Sequence, residues 1–403
     1  MSKLSKLVKN PKLFFKDMVT KRVNQNIGVK TAKPKSKTKA TTLEMHNFNP
    51  FISYTHAVHT GESIKAGPNQ VALWIPYLCK AKINFFILVR NKEMFNWLKE
   101  NYPYLHVVFC KRIDDIEQVV EKISSLKYIL YPSNTANLIH TLRYTQFEHI
   151  FIGHGDSDKT SSAHKFFRVY DQIWVAGQAH IDRFANAGFT ISTDFVKVGR
   201  PSLKAVIEQT KTNWQERKPS VLYLPTWEGV FEETNYSSVK HATKILSFIA
   251  EKFKLPVNAK FHPMTGNRDK LLLNIEEQIS QSLDEKGVEH KVVNKLQPLN
   301  EVLVESNIFL CDISGVVSDC IAANGPIFVY VPKDKKIQIS KSNMSYDYYA
   351  YTWSTLEELY SELERVLGGD DYKQEQRKQA KEYLIGSTET EKDTFIKLLQ
   401  QKA

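Results

Sequence analysis

Apolar runs of strand length alternate with helix-length stretches along most of the chain, and this alternation limits the folds open to it. Strand–helix alternation predicts parallel sheets covered by helices on both faces. The predicted strands are 51–57, 83–89, 105–110, 128–131, 149–153, 172–176, 195–198, 221–226, 257–262, 290–293, 307–311 and 326–331. The predicted helices are 91–101, 114–126, 134–146, 178–187, 238–253, 268–284, 298–306, 315–324, 355–367 and 390–401.

The alternation stops near residue 199 and restarts near residue 221, which predicts two domains. At 403 residues, the chain is also too long for one ordinary hydrophobic core. We therefore expect two Rossmann-like domains that face each other across a cleft, at residues 43–200 and 201–380. A C-terminal helix is expected within 381–403, and a basic arm with a linker within 1–42.

The net charge of the chain is concentrated in this arm. The whole chain carries +11, and residues 1–40 hold 12 Lys and Arg against the single acid Asp17. Apolar residues fall near helical spacing between the lysines of residues 1–24, which predicts an amphipathic element that lies on an anionic membrane surface. A solvated or partner-binding tail is the alternative. Nucleic acid is not an expected partner, because the charge does not cover a folded face.

Cysteine usage and hydropathy indicate the compartment. The four cysteines are scattered without a CxxC pair, and three lie in or beside apolar runs, which favours buried free thiols and a reducing cytoplasm. No apolar run reaches the roughly 20 residues of a membrane span, and the start of the chain lacks the features of a secretory signal. We expect a cytoplasmic protein, peripheral on the inner face of the cytoplasmic membrane.

Polar residues directly after predicted strands are the candidates for chemistry, because ligands of open α/β sheets bind beyond the carboxyl ends of the strands. The first such segment is 153–159 (GHGDSDK), whose glycines permit a tight turn. His154 can act as a general base, since the unperturbed pKa of histidine lies near neutrality, and Asp156 or Asp158 could orient its ring. The alternative is an ordinary turn with a solvent-facing histidine.

Two further segments follow strands of the second block. The segment 223–229 (YLPTWEG) brings Thr226 to a strand end, where it could lie beside a phosphate or a nucleotide. In the segment 260–263 (KFHP), the proline ends the strand and fixes His262 at its end. From there His262 can donate to a pyrophosphate oxygen or protonate a leaving phosphate. A tryptophan packed over the sheet and a histidine that caps a turn are the alternatives.

The last segment runs from a buried strand into the start of a helix. Asp312 follows the strand, and Ser314 and Gly315 open a helix whose N–H groups could bind an anion. A plain N-cap is the alternative, because aspartate and serine are favoured caps. Asp319 lies about one turn later and would face either the cleft or the solvent.

Metal-binding and dinucleotide-binding signatures are absent from the sequence. It contains no HExxH, EF-hand, GxSxG, Walker A or GxGxxG pattern. We therefore expect no dedicated metal site and no required cofactor, with Mg²⁺ entering, if at all, with the diphosphate of a substrate.

The order of these segments is more specific than any one of them. The succession HGxxxK, GRP, LYLPTWxG, KFHP and CDISGVxxD over residues 145–335 resembles the CDP-glycerol:poly(glycerophosphate) glycerophosphotransferase family, whose first motif reads HGTPLK. The resemblance implies a GT-B fold and transfer of glycerol phosphate, or ribitol phosphate in some members, from a CDP-activated donor. Departures at 156–158, in the order of residues 200–201, and at Ile313 and Gly315 leave the alditol of the donor open.

The resemblance also implies roles for residues. His154 would deprotonate an acceptor hydroxyl, which attacks the β-phosphorus of CDP-glycerol and releases CMP, and Asp156 is the second candidate for a catalytic role. The residues expected to bind the donor are Thr226, His262, Ser314, Gly315 and Asp319. The residues expected to support them are Gly155, Lys159, Arg200 and Asp312.

The expected function is therefore a glycerophosphotransferase of teichoic-acid or capsule type that acts on a lipid-linked saccharide acceptor. A priming or short-extension role is expected because no extra domain for holding a polymer is recognised, with a distributive polymerase as the alternative. A GT-B glycosyltransferase that uses a CMP- or UDP-sugar, as bacterial sialyltransferases do, is the second hypothesis. The third is a membrane-docked scaffold with a degenerate fold, against which the presence of both His154 and His262 argues.

Overall fold

The computed structural model describes residues 42–295, 297–386 and 393–403. The basic arm predicted for residues 1–42 falls outside these ranges apart from its last residue. Within the described ranges the chain forms two sheets of mostly parallel strands, which confirms the predicted α/β class.

The first sheet has eight strands in the described part of the chain. They are β1 (Glu44–His46), β2 (His56–Thr60), β3 (Phe85–Val89), β4 (Val107–Phe109), β5 (Tyr128–Tyr131), β6 (Glu148–Phe151), β7 (Gln172–Val175) and β8 (Asp194–Lys197). Their order is β1-β4-β3-β2-β5-β6-β7-β8, and all are parallel except β1, which pairs antiparallel with β4 at the edge. The strand order reverses between β2 and β5, as in a Rossmann sheet.

The second sheet has six strands, all parallel, within the same described residues. They are β9 (Val221–Leu224), β10 (Val257–Ala259), β11 (His290–Val292), β12 (Ile308–Asp312), β13 (Ile327–Tyr330) and β14 (Tyr351–Trp353). The order β11-β10-β9-β12-β13-β14 again reverses once, between β9 and β12.

Helices connect the strands and cover the sheets. They are α1 (Gly67–Val71), α2 (Ile75–Lys80), α3 (Lys92–Asn101), α4 (Ile113–Lys122), α5 (Ile139–Leu142), α6 (Gln178–Asn186), α7 (Lys204–Gln209), α8 (Ala242–Phe253), α9 (Ile275–Asp284), α10 (Leu299–Val304), α11 (Val316–Cys320), α12 (Tyr346–Tyr349), α13 (Leu356–Leu367), α14 (Gln374–Ile385) and α15 (Thr394–Gln401). None of these helices is long and apolar enough to cross a membrane.

Both faces of each sheet are packed against a hydrophobic core. Alternate residues of β3 enter opposite cores, with Ile87 on one face and Phe86 and Leu88 on the other. In the second sheet, the neighbouring residues Leu222 and Tyr223 of β9 likewise enter opposite cores. Burial on both faces explains why these strands read as continuous apolar runs in the sequence.

The structure confirms the prediction of buried, unpaired cysteines. Cys110, Cys311 and Cys320 are buried, Cys79 is exposed, and none of the four forms a disulfide.

The structure corrects the position of the second strand, which was predicted at 51–57. It forms instead at His56–Thr60, and the side chains of His56, His59 and Thr60 are fully buried. Burial of His59 is compatible with a strand because its Nδ1 is 2.7 Å from the hydroxyl of Thr141. The Nε2 atoms of His56 and His59 are buried without a hydrogen-bond partner in the described structure. An apolar pattern cannot identify a strand that buries polar side chains.

Short elements account for most of the remaining differences. The edge strands β1 and β14 and the helices α1, α2, α7, α12 and α14 were not predicted, and α5, α9 and α11 are shorter than expected. Most of these elements have three to six residues, too few to show a hydrophobic period.

The last helix returns to the first sheet. Phe395 of α15 is fully buried, stacks on Trp74 with ring centroids 4.6 Å apart, and meets Trp174 edge to face at 5.4 Å. Before it, α14 packs against α6 of the first block, where a Cβ on Gly177 would lie 2.5 Å from the carbonyl oxygen of Tyr383. Helix α15 therefore belongs to the core of the first sheet, whereas the buried residues of α14 belong to a core of the second sheet. The division at residue 200 stays a prediction.

We predict that Phe395→Ala lowers the free energy of unfolding by about 3–5 kcal/mol, because it leaves a cavity between two tryptophan rings. Urea unfolding followed by fluorescence would measure the loss. The matched control is Phe51→Ala, at a phenylalanine that is 94% exposed, where a change below about 0.5 kcal/mol is expected. Equal losses in the two variants would show that α15 does not stabilise the first sheet.

Candidate active site

A cavity of about 440 Å³ lies where the carboxyl ends of the two sheets meet. The loops after β2, β5 and β6 line it from the first sheet, and the loops after β9, β10 and β12 line it from the second. These include the points where the strand order of each sheet reverses, which are the usual ligand sites of such sheets. The volume is in the range of small-molecule sites.

The structure brings most of the residues predicted for the site together around this cavity. Those that line it are His154, Gly155, Asp156, Lys159, Thr226, His262, Ser314, Gly315 and Asp319. Two others lie beside it: Arg200 is bonded to Asp319, and the buried Asp312 is bonded to the backbone of Thr226.

The ring of His154 is held in one tautomer by the backbone. Its Nδ1 is 2.8 Å from the carbonyl oxygen of Pro132, which can only accept, so Nδ1 carries the proton and Nε2 has a free lone pair. Loss of water around the ring, and then the positive charge of Arg200, lower the pKa of His154. The neutral ring can therefore take a proton at Nε2.

Asp156 does not orient this ring, contrary to the expectation from the sequence. It forms a buried ion pair with Arg183 of α6, whose Nε also donates to Asp158 at 2.9 Å. Burial acts to raise the pKa of Asp156, but Arg183, His180 and Arg200 outweigh it, and the pKa is lowered. One guanidinium thus anchors both carboxylates, and they hold the loop that carries His154.

His262 is fixed in the opposite tautomer. The backbone N–H of Met264 donates to its Nδ1 at 3.1 Å, so the proton of the neutral ring is on Nε2. Burial, and then Lys159 and other nearby cations, lower the pKa of His262 to about 3. In the described structure the Nε2 atoms of both histidines make no hydrogen bond, one as a free acceptor and the other as a free donor.

Two side-chain contacts link the loops of the first sheet to those of the second. The Nζ of Lys159 donates to the hydroxyl of Thr226 at 2.7 Å, and Arg200 pairs with Asp319 at 2.7 Å. The guanidinium also lies against Gly155, whose φ is +141°, and a Cβ there would be 2.9 Å from it. The positive φ favours glycine at this position.

Asp312 fixes the loop after β9 through hydrogen bonds to its backbone. Its Oδ2 accepts the backbone N–H groups of Thr226 at 2.7 Å and of Ser238 at 3.1 Å, and burial raises its pKa to about 7. The hydroxyl of Ser314 donates to the carbonyl of Asp312 at 3.2 Å. These bonds make Asp312 a positioning residue for the cavity wall.

The sequence did not reveal several polar residues of the cavity. Those not predicted include Glu62, Ser133, Asn134, His180 and Lys260. Glu62 follows β2, which had been placed too early in the chain, and Asn134 had been assigned to a helix. The signal that could have found Glu62, Ser133 and Asn134 is their position directly after the strands on either side of the reversal point.

Metal ligands are not grouped in this part of the chain. Among residues 42–295, 297–386 and 393–403, no set of three His, Cys, Asp or Glu side chains could hold a metal ion. The expectation that no cofactor is required stays a prediction.

Solved structures share this architecture at low sequence identity. A histidine-to-asparagine variant of the wall teichoic acid polymerase TagF aligns with a TM-score of 0.58 at 15% identity, covering 88% of this chain and 89% of that chain. MurG of Acinetobacter baumannii aligns with a TM-score of 0.51 at 10% identity, covering 87% and 100%. The UDP-GlcNAc 2-epimerase of Methanocaldococcus jannaschii aligns with a TM-score of 0.54 at 13% identity, again covering 87% and 100%. These likenesses establish the GT-B fold.

Sequence comparison identifies the family. No protein of curated function matches the chain in sequence, but the profile of the CDP-glycerol:poly(glycerophosphate) glycerophosphotransferases matches residues 92–388. The match covers most of the chain, including both sheets from β4 onward. The chain therefore belongs to the CDP-glycerol:poly(glycerophosphate) glycerophosphotransferase family and is an enzyme of that family with a GT-B fold.

Proposed function

We propose that this enzyme transfers glycerol phosphate from CDP-glycerol to a hydroxyl of a membrane-linked teichoic-acid or capsule-type acceptor and releases CMP. The observation that carries the proposal is the pair of neutral histidines on one cavity, with the Nε2 of His154 free to accept a proton and the Nε2–H of His262 free to donate. Crystals of TagF have been soaked with CDPG, which agrees with this choice of donor.

In the proposed reaction, the Nε2 of His154 takes the proton of the acceptor hydroxyl. The hydroxyl oxygen forms a bond to the β-phosphorus as the bond from that phosphorus to the CMP oxygen breaks, and CMP leaves with the electron pair. The Nε2–H of His262 donates to an oxygen of the diphosphate. Phosphoryl transfer of this kind depends mainly on positioning and on stabilisation of charge.

Cations at the donor end of the cavity fit this chemistry. Lys159 and Lys260 both line it, and burial lowers the pKa of each to about 8. Lys159 is bonded to the hydroxyl of Thr226, so both groups lie together where a diphosphate oxygen could be bound. Ser314, Gly315 and Asp319 complete the proposed donor side.

The number of units added is also part of the proposal. A priming or short-extension step, in which one or a few alditol phosphate units are added, is the role expected from the sequence. The basic arm within residues 1–40 would bring the enzyme to a membrane-linked acceptor.

We predict that His154→Ala lowers the transfer rate about 10²–10⁴-fold, as expected for loss of a general base, without weakening CDP-glycerol binding. His262→Ala is expected to weaken donor binding as well, because the Nε2–H donor is lost. Steady-state CMP release and calorimetric titration of CDP-glycerol would separate the two effects. His140→Ala, outside the cavity on α5, is the control, and turnover of His154→Ala within a few-fold of wild type would exclude this base.

We predict a bell-shaped pH profile of kcat/KM for the donor. His154 must be neutral to act, and its pKa lies below the usual 6.5, so activity should persist below pH 6.5 before it is lost on further acidification. Lys159 and Lys260 lose their charge above about pH 8, so donor capture should fall there. Replacing both lysines with arginine should move the alkaline decline to higher pH, and a profile that stays flat to pH 10 would contradict the assignment.

We predict that deletion of residues 2–40 abolishes binding to anionic liposomes and leaves CMP release on a soluble acceptor nearly intact. The reason is that this segment carries the net charge of the chain, and each Lys or Arg near an anionic surface contributes about 1 kcal/mol. Vesicle sedimentation with and without anionic lipid measures the binding. Equal sedimentation of the truncated and full-length proteins would refute membrane docking by the arm.

A further inference from the structure

Glu228 is a buried acid that no step of the proposed reaction uses. It follows β9 in the loop that carries Thr226, it is only 4% exposed, and it does not line the cavity. A buried carboxyl group is unfavourable unless hydrogen bonds or an ion pair compensate it. The partners of this group therefore indicate its role.

The backbone of one neighbouring loop supplies the hydrogen bonds of this carboxyl group. The N–H groups of Gly266 and Asp269 donate to its Oε1 at 2.9 Å and 3.3 Å. Its Oε2 is buried without a hydrogen-bond partner in the described structure. Both donors lie in the loop after β10, so Glu228 holds that loop from the loop after β9.

The loop after β10 is the one that carries His262 and sets its tautomer. The N–H of Met264 donates to Nδ1 of the ring, and the N–H of Thr265 donates to the carbonyl oxygen of His262 at 2.9 Å. Gly266 comes next, with a φ of +80°, and its N–H is the one that Glu228 binds at the shorter distance. The carboxyl group therefore binds the turn two residues beyond the N–H that fixes the proton of His262.

Two further contacts join the same two loops around Glu228. Trp227, the residue before it, stacks on the ring of His262 with ring centroids 6.3 Å apart and an angle of 21° between the planes. The Nη1 of Arg268 donates to the backbone carbonyl oxygen of Glu228 at 3.1 Å. The position of His262 thus depends on Trp227 and Glu228 as well as on its own turn.

We infer that Glu228 is a positioning residue for His262. By binding Gly266 and Asp269 it holds the turn that keeps the N–H of Met264 on Nδ1, and the proton of the ring then stays on Nε2, the atom proposed to donate to the diphosphate. The inference rests on the proposed function and adds to it a residue that acts through His262. The carboxyl group serves only as a hydrogen-bond acceptor in this role, so its negative charge is not required.

The test uses the full-length enzyme, calorimetric titration of CDP-glycerol and steady-state CMP release. Glu228→Met keeps the length of the side chain and removes the acceptor oxygen, so the Kd of CDP-glycerol should rise about tenfold, the effect of one lost hydrogen bond. Glu228→Gln keeps an oxygen that accepts the same two bonds and should leave this Kd within about twofold of wild type. Glu289→Met, at a side chain that is 73% exposed, is the matched control and should change neither binding nor turnover.

A double-variant cycle tests whether Glu228 acts through His262. In the His262→Ala background, Glu228→Met should weaken donor binding by less than about a further twofold, because the group that it positions is already absent. A general disturbance of the donor side would instead weaken binding about tenfold in both backgrounds. Melting curves of all variants establish that the proteins compared are folded.

Three results would overturn the inference and leave the proposed function standing. The first is an unchanged Kd in Glu228→Met, and the second is an equal loss from Glu228→Met with and without His262. The third is a loss of about tenfold in Glu228→Gln, which would show that the charge itself is needed and which decides the question even if Glu228→Met does not fold. Absence of CMP release from CDP-glycerol by the wild-type enzyme would overturn the proposed function and the inference together.

Discussion

The hydrogen bond between Nδ1 of His154 and the carbonyl oxygen of Pro132 decides what this site can do. It fixes the tautomer of the proposed base and ties that base to the loop after β5. The backbone N–H of Met264 donates to Nδ1 of His262, so the proton of that neutral ring is on Nε2. Because both constraints come from the backbone at strand ends, they depend on the sheets and not on mobile side chains, which suits a reaction governed by positioning.

The two reversal points explain why both sheets line one cavity. Each sheet has its own crevice at the carboxyl ends of its strands, and the fold brings the two crevices face to face. The end formed by the second sheet carries His262 and Lys260, whereas the loops after β2 and β5 carry Glu62 and Asn134. The contacts of Lys159 with Thr226 and of Arg200 with Asp319 join the two halves at the level of the cavity.

How far the sequence could predict this structure depended on whether the determining contacts were local. Strands buried on both faces, such as β3 and β12, were readable as continuous apolar runs. Polar residues after β6, β9 and β10 pointed to His154, Thr226 and His262. Strand β2 was misplaced because His56 and His59 are buried in it. The tautomers and the strand order arise from backbone geometry and distant partners, which no pattern within one segment records.

The loop at residues 156–158, where the first motif departs from the family pattern, also depends on a distant partner. Where the family pattern reads Thr-Pro-Leu, this chain has residues 156–158, with two acidic side chains that are almost fully buried. Buried carboxylates are unfavourable unless paired, and removing one partner of such a pair costs about 3–5 kcal/mol. Here Arg183 of α6 meets both of them, so the pair of acids and the distant arginine form one structural unit. The substitution therefore changes the anchor of the loop while His154 and Lys159, on either side of it, remain on the cavity.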